Sequence, residues 1–470
     1  MFEEQSRSTN LGAIKTLHSE QYSMNVSYTA LVDAIAAEIA AGRLRAGDRL
    51  PPQRQFAYER GIAASTAARV YAELLRRGLV VGEVGRGTFV AGQPQAPLPA
   101  LRLEPFDGRI DLEFNFPTLP DQAVLIGKSL QSWQRPEVLA TVLAPITQRR
   151  LVEAGRTSAK FFTTDRWRPR PENFLFAGSG RQALAAAMSA LVPVGGRLGV
   201  EAVTYPMVKG IAARLGVTLV PIAMDGEGIR GDALLKAHRA HALNAIYIQP
   251  VMQNPLGHTM SETRREEIVR LVRKLDLTII EDLVYGFLSD APPIASQAEE
   301  RAVIVDSLAK RLAPGIAVGF LYVPSQLREK FAATVRTGAW SVTSLALAAG
   351  MGLLADGTAA EITRRKRSDA VVRQAIVTEC LAGYHIEADP RSYHVWLNLP
   401  DGWRAEALTA AAARAGIAIT PASAFAIAHG HSPNAVRLAL GLPSHDELRT
   451  ALMRLASLLA ARPDESDMTE

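Results

Sequence analysis

Cysteine is nearly missing from this chain: Cys380 is the one cysteine among 470 residues. That excludes an internal disulfide framework and fits a reducing compartment. The thiol itself reads as a small core residue. Long apolar runs are missing too, since no stretch is long and charge-free enough to span a bilayer. Residues 1–22 lack the apolar stretch and small-residue cleavage site of a secretory signal, so they read as a flexible tail of a cytoplasmic protein with no membrane partner. A strong charge bias is also lacking: the net charge is +5 and the isoelectric point 9.3, compatible with nucleic-acid binding without demonstrating it. No metal site is expected. With 48% hydrophobic and 21% charged residues, the chain is a globular one, long enough for roughly three domains of about 150 residues each.

In residues 23–92 the apolar spacing Leu31, Ile35, Ile39 is helical and stops at Gly42. The turn Gly47-Asp48-Arg49-Leu50 leads to Pro51-Pro52, where a helix's first turn tolerates proline. After Gly61, Ser65 or Thr66 offers a capping hydroxyl to a helix whose Val70, Leu74 and Leu75 are expected to face inward until Gly78. Short alternating strands flank Gly85-Arg86-Gly87, a hairpin with an arginine at its tip. Helix, helix, turn, helix and hairpin make a winged helix-turn-helix, whose third helix enters the major groove by its N-terminal residues. Nine arginines against six acids leave this segment a net charge of only +3, so charge alone does not decide. The runs "GDRLPPQR", "STAARVYAELLRRGLV" and "GRGTFVAG" resemble the DNA-binding segment of GntR-type regulators. The resemblance implies that Arg54, Ser65, Thr66, Arg69, Arg86 and Gly87 meet double-stranded operator DNA.

Residues 93–105 hold four prolines and read as a stiff linker. Beyond them apolar strands alternate with helical segments, the signature of an α/β unit with a largely parallel sheet. A strand at 173–177 runs into Gly178-Ser179-Gly180-Arg181-Gln182 and a helix, a turn whose free N–H groups suit a phosphate. Four clusters then supply what a pyridoxal phosphate site requires. Tyr205, in Val203-Thr204-Tyr205-Pro206, offers a ring to stack on a pyridine. Asn254, in Gln253-Asn254-Pro255-Leu256-Gly257, offers an amide to a phenolate, although the same residues also make an ordinary turn. Asp282, at the end of an apolar strand, can hold a pyridine nitrogen protonated, with Tyr285 three residues on. Strand 302–306 delivers Ser307 to a phosphate and Lys310 to an aldehyde carbon, where a partly desolvated amine becomes nucleophilic.

In that order these clusters resemble fold-type I aminotransferases from about residue 110 to 461, and the whole chain resembles the MocR subfamily of GntR regulators. The resemblance implies an N-terminal winged helix-turn-helix, mostly α, joined to an α/β fold-type I transferase domain with a smaller α+β C-terminal subdomain. The boundaries expected are a tail at 1–22, the DNA-binding domain at 23–92, the linker at 93–105, the large domain at 106–325, the small domain at 326–462 and a tail at 463–470. It also implies pyridoxal 5'-phosphate bound by Gly180, Arg181, Gln182, Tyr205, Asn254, Asp282, Tyr285 and Ser307, with Lys310 as the Schiff-base residue. Arg437, in Asn434-Ala435-Val436-Arg437-Leu438, would clamp a carboxylate, and the cofactor pocket would lie in a homodimer.

Departures from the pattern are specific. The family's Pro-Gly-Leu-Arg, whose arginine grips the phosphate, is Pro314-Gly315-Ile316-Ala317 here, and Arg311 or Arg181 is the expected substitute. Ala309 replaces a serine, and Leu143-Ala144-Pro145-Ile146 stands near where an aromatic-glycine stretch is usual. The reading is a transcriptional regulator, rather than a turnover enzyme, that senses an amine or amino acid by Schiff-base exchange at Lys310. A working aminotransferase with a DNA-binding appendage and a cofactor-free ligand sensor remain open beside it.

Overall fold

The computed structural model describes residues 28–40, 43–44, 48–76, 79–83, 87–90, 109–427 and 432–461. Arg86, both expected tails and the expected linker lie outside them. The chain divides into two compact units, 1–100 and 101–470.

In the first unit, α1 (Tyr28–Ala40), α2 (Gln53–Arg60) and α3 (Ala64–Arg76) precede the strands β1 (Val80–Glu83) and β2 (Gly87–Val90). Val32, Ile35, Phe56, Ala67, Val70, Tyr71, Leu74, Val80 and Val90 form its core. The helix α2 starts after Pro52 and stops at Gly61, whose φ of 60° lets its N–H reach the carbonyls of Ala57 and Tyr58. β1 and β2 pair antiparallel with Val80 opposite Val90, and residues 48–50 join them through Leu50 N–H to Thr88 O at 2.8 Å. Two expectations are corrected here. Leu75 is 43% exposed, because one step past Leu74 turns a helical side chain about 100° off the buried stripe. Ser65 and Thr66 lie inside the first turn rather than at its cap; the Ala63 carbonyl already accepts from Thr66 N–H at 2.9 Å.

The second unit opens with β3 (Ile110–Asp111). Its main strands are β4 (Phe174–Ala177), β5 (Arg197–Glu201) and β6 (Thr218–Ile222), then a hairpin of β7 (Met224–Asp225) and β8 (Gly228–Ile229), then β9 (Ala245–Ile248), β10 (Thr278–Asp282), β11 (Ala302–Ser307) and β12 (Gly319–Tyr322). Seven of these form one sheet in the order β4-β12-β11-β10-β9-β5-β6. Six strands run the same way and β12 runs against both neighbours. The sheet is thus largely parallel, as expected, with one reversed strand, β12, next to its β4 edge. Its central strands are apolar on both faces because helices cover both. Alternate side chains feed separate cores: Ile246, Ile248, Ile279 and Ile304 one, Tyr247, Ile280, Val303 and Val305 the other.

A second sheet, β13 (Ile386–Glu387), β14 (His394–Asn398), β17 (Ala435–Ala439) and β16 (Thr420–Pro421), is antiparallel throughout. Helices Thr358–Cys380, Ala405–Arg414 and His445–Ala460 share its core through Val377, Leu408 and Leu452. Between these strands β15 (Ile417–Ala418) pairs with β3, and Leu112 is buried in the same core. Residues 110–112 therefore pack with the smaller subdomain, not with the large one that a boundary at 106 assigns them to. Among the described residues no single helix is long and apolar enough to cross a membrane.

Candidate functional site

All six co-directional strands of the large sheet end on one side, and in such sheets ligands bind outside the carboxyl ends. Here β4 ends at the turn into helix Gly180–Leu191, β10 ends at Asp282, and β11 ends at Ser307 and the short helix Leu308–Arg311.

Asp282 is buried and accepts from the Tyr247 hydroxyl at 2.7 Å and from Val284 N–H at 3.0 Å. Burial pushes its carboxyl up to about 6, since both donors are neutral. Lys310 Nζ donates to the Asn115 carbonyl and lies 3.5 Å from the centre of the Phe116 ring. Burial, then the charges of Arg437, Arg181 and Lys366, hold its ammonium well below the usual lysine range. A shift in this direction favours the neutral, nucleophilic form of the amine.

Tyr285 accepts from Asn115 Nδ2 at 2.9 Å, and its ring lies 5.3 Å from that of His394. The guanidinium of Arg437 reaches Asn254 Oδ1 at 3.4 Å, Thr420 Oγ at 3.2 Å and the Glu113 carbonyl, and it lies over Phe425. Arg437 Nε and Asn115 Oδ1 are buried with no hydrogen-bond partner among the described residues. Burial pushes the Tyr205 phenol up, opposed by Arg181, and the charges of Asp282 and Arg437 also act on it. Tyr205, Asp282, Tyr285, Arg437 and Lys310 thus share one electrostatic neighbourhood.

At the phosphate-type turn, Ser179 caps the helix by accepting from Gln182 N–H at 3.2 Å, and Ser307 accepts from Ala309 N–H at 3.1 Å. The two turns touch: a Cβ on Gly180 would stand 2.9 Å from Ser307 Cβ, so only glycine allows this approach. Arg181 is exposed beside them. Arg311 is not brought to this group. Its guanidinium pairs with Asp306 at 3.1 Å and lies among Phe161, Phe162 and Phe287. Adjacent helical residues point apart, so its neighbourhood with Lys310 in sequence does not carry over to space.

Sequence reasoning missed several members. Asn115 and Phe116 come from a segment nearly two hundred residues before Lys310, with no motif to flag them. Tyr247 was legible only as a strand residue. Lys366, fully buried, donates to the carbonyls of Lys310 at 3.0 Å and Leu312 at 2.8 Å. Glu201, at the end of β5, accepts from Gln249 N–H, Gln253 Nε2 and Thr204 Oγ, each at 3.1 Å, and so ties down the loop that carries Asn254.

In the first unit Arg54, Ser65 and Arg69 are exposed, and Ser65 and Arg69 stand one turn apart on α3. Thr66 is half-buried, and Gly87 opens β2.

The family model "Aminotransferase class I and II" matches residues 141–455, and "Bacterial regulatory proteins, gntR family" matches residues 27–90. The uncharacterized HTH-type transcriptional regulator YdeF of Bacillus subtilis is 26% identical over 448 residues, covering 92% of this chain and 94% of its own. The probable rhizopine catabolism regulatory protein MocR of Rhizobium meliloti is 25% identical over 391 residues, covering 74% and 75%. Among solved structures, LysN, the alpha-aminoadipate aminotransferase of Thermus thermophilus complexed with N-(5'-phosphopyridoxyl)-L-leucine, superposes with a TM-score of 0.67 at 20% identity, over 75% of this chain and 92% of that one. This last likeness carries the fold.

Proposed function

We propose that this chain, which belongs to the class I and II aminotransferase family and, through its gntR segment, to the MocR-type transcriptional regulators, senses a small amine or amino acid at a pyridoxal phosphate held by Lys310. The observation that carries the reading is the convergence at the strand ends of Lys310, bonded to the Asn115 carbonyl and covered by Phe116, with a buried aspartate and a buried arginine. The donor set fits the cofactor. Asp282 suits a ring N–H, Tyr285 and Asn254 suit a phenolate, and Tyr205 suits the ring face. The Gly180 and Ser307 turns suit a phosphate, and the close approach at Gly180 keeps them together. We infer that Arg181, not Arg311, offsets the alanine at 317, because Arg181 acts on Lys310 and Tyr205 whereas Arg311 is committed to Asp306.

When bound, pyridoxal phosphate supplies an aldehyde that couples to primary amines and a ring that draws electrons from adjacent bonds. The chain's own residues do the rest: Lys310 offers the amine, Asp282 holds a proton at the ring nitrogen, and Arg437 orients a carboxylate bidentately. Binding energy that differs between domain arrangements then alters DNA affinity at α3 and the hairpin, an allosteric coupling. A homodimer is supported by the exposed side chains of Val124, Leu139, Leu143, Val152 and Leu345, which lie on four helices packed together.

The test is to give the chain and its cofactor one amino acid and one α-keto acid. A single stoichiometric absorbance change with altered DNA affinity supports sensing. Product accumulating over many turnovers makes it an aminotransferase with a DNA-binding appendage.

A further inference from the structure

The segment between β3 and the first helix of the large subdomain lies across the site. Its main chain takes up the two groups that an amino acid would use. The Glu113 carbonyl accepts from Arg437 Nη2, and the Asn115 carbonyl accepts from Lys310 Nζ. A carbonyl oxygen on a buried guanidinium is what a carboxylate oxygen would replace, and with a stronger bond, because the acceptor is then charged. Phe116 covers the Lys310 amine, and Asn115 Nδ2 holds the Tyr285 hydroxyl at 2.9 Å.

The segment is shaped from its own start. Asp111 Oδ1 accepts from Glu113 N–H at 2.7 Å and Phe114 N–H at 2.8 Å, bending the chain toward the site. Behind it, Ile110 N–H and Leu112 N–H bond to the carbonyls of Gly416 and Ala418, and ahead Thr118 N–H bonds to that of Gly441. Residues 113–117 are thus a strap fixed at both ends. Between those ends its bonds reach the site itself, and Asn115 Oδ1 and Arg437 Nε remain buried and unpartnered among the described residues. That local frustration is what a ligand offering both a donor and a second acceptor would relieve.

We propose that residues 113–117 are a built-in competitor of the effector, and that the effector is a molecule bearing both a carboxylate and a primary amine. Its carboxylate displaces the Glu113 carbonyl from Arg437, and its ammonium, a donor like Lys310 Nζ, competes with that lysine for the oxygens of Asn115, one of which has no donor. The strap lies inside the second unit, between β3, which stays paired with β15, and the first helix of the large subdomain. This inference rests on the amino-acid-sensing reading above.

Hydrogen–deuterium exchange of the full-length chain tests it, with propionate as a carboxylate alone and L-alanine as carboxylate plus amine. Both probes are expected to raise exchange at residues 113–117 by about tenfold while 110–112 stay protected, alanine acting at lower concentration than propionate. Asp111→Ala, which loses the bend, is expected to bind both probes several-fold more tightly, because the strap no longer competes; Asp111→Asn, which keeps the acceptor, restores wild-type affinity. A merely structural strap predicts that Asp111→Ala and Asp111→Asn change the affinity alike, since both remove the Asp111 charge that acts on Arg437. Unchanged exchange at 113–117 with either probe overturns the proposal. The propionate response does not need Lys310 and persists in Lys310→Ala, so a chain that opens for propionate yet forms no cofactor absorbance band retains the strap and loses the cofactor reading. A band without strap opening does the reverse.

Discussion

Tyr247 and Asp282 meet across neighbouring strands: the phenol on β9 donates to the carboxylate at the end of β10 at 2.7 Å. The contact holds the carboxylate at the mouth of the sheet, and it is neutral, so burial still raises the carboxyl from 3.8 to about 6. In the cofactor-free chain a raised folded-state value means the folded state binds the proton more tightly, so stability falls as pH rises through that interval and stays lower above it. Asp282→Asn removes this penalty. At ~pH 8 the variant is expected to gain up to about 3 kcal/mol in urea unfolding, with no gain near ~pH 4, while pyridoxal phosphate binding is lost. A variant less stable than wild type at ~pH 8 contradicts the assignment.

Gly180→Ala puts a methyl 2.9 Å from Ser307 Cβ, on a contact between two strand-end turns that cannot retreat independently. The two turns must part, which separates the groups facing a phosphate. Pyridoxal phosphate affinity, read by absorbance titration, is expected to fall at least about tenfold, corresponding to roughly 1.4 kcal/mol. The winged unit is a separate compact unit, so its DNA affinity without cofactor is expected to be unchanged.

Arg437→Ala removes the cation that reaches Asn254, Thr420 and the Glu113 carbonyl. Hydrogen bonds to a charged group contribute about 1.5–3 kcal/mol each, so amino-acid affinity is expected to drop roughly 30-fold or more, whereas the affinity for a simple amine changes little. Calorimetry with L-alanine and ethylamine separates the two; equal losses for both would argue against a carboxylate clamp.

Arg69→Ala changes an exposed residue one turn from Ser65, and the core of α3 runs through Val70 and Leu74 instead. The melting temperature is expected to stay put while operator affinity falls. If the guanidinium meets a phosphate, the slope of log affinity against log salt shrinks by about one, and if it meets a base, discrimination at that position relaxes. Unchanged affinity on both counts would remove Arg69 from the interface.

Much of this was legible in the sequence because the relevant residues follow strands directly. Asp282 and Ser307 each close an apolar run, and Lys310 sits one turn further on, so local spacing fixed their side of the sheet. Asn115, Tyr247 and Lys366 were not legible. Each is brought in by tertiary packing, and Asn115 meets Tyr285 from 170 positions away. Arg311, expected to stand in for the arginine missing at 317, and Leu75, expected to face inward beside Leu74, failed for the opposite reason: each was placed on its neighbour's side, and a helix turns adjacent side chains away from each other. The reversed strand β12 was hidden because an apolar run carries no sign of its direction.

The most direct test of the central claim is the visible spectrum of the purified chain with pyridoxal phosphate, followed by borohydride reduction and peptide mass mapping, for wild type and Lys310→Ala. The account predicts an absorbance band in wild type that reduction fixes, with the added mass on Lys310, and neither in the variant. A wild-type chain without the band, or with the added mass on another lysine, would contradict it.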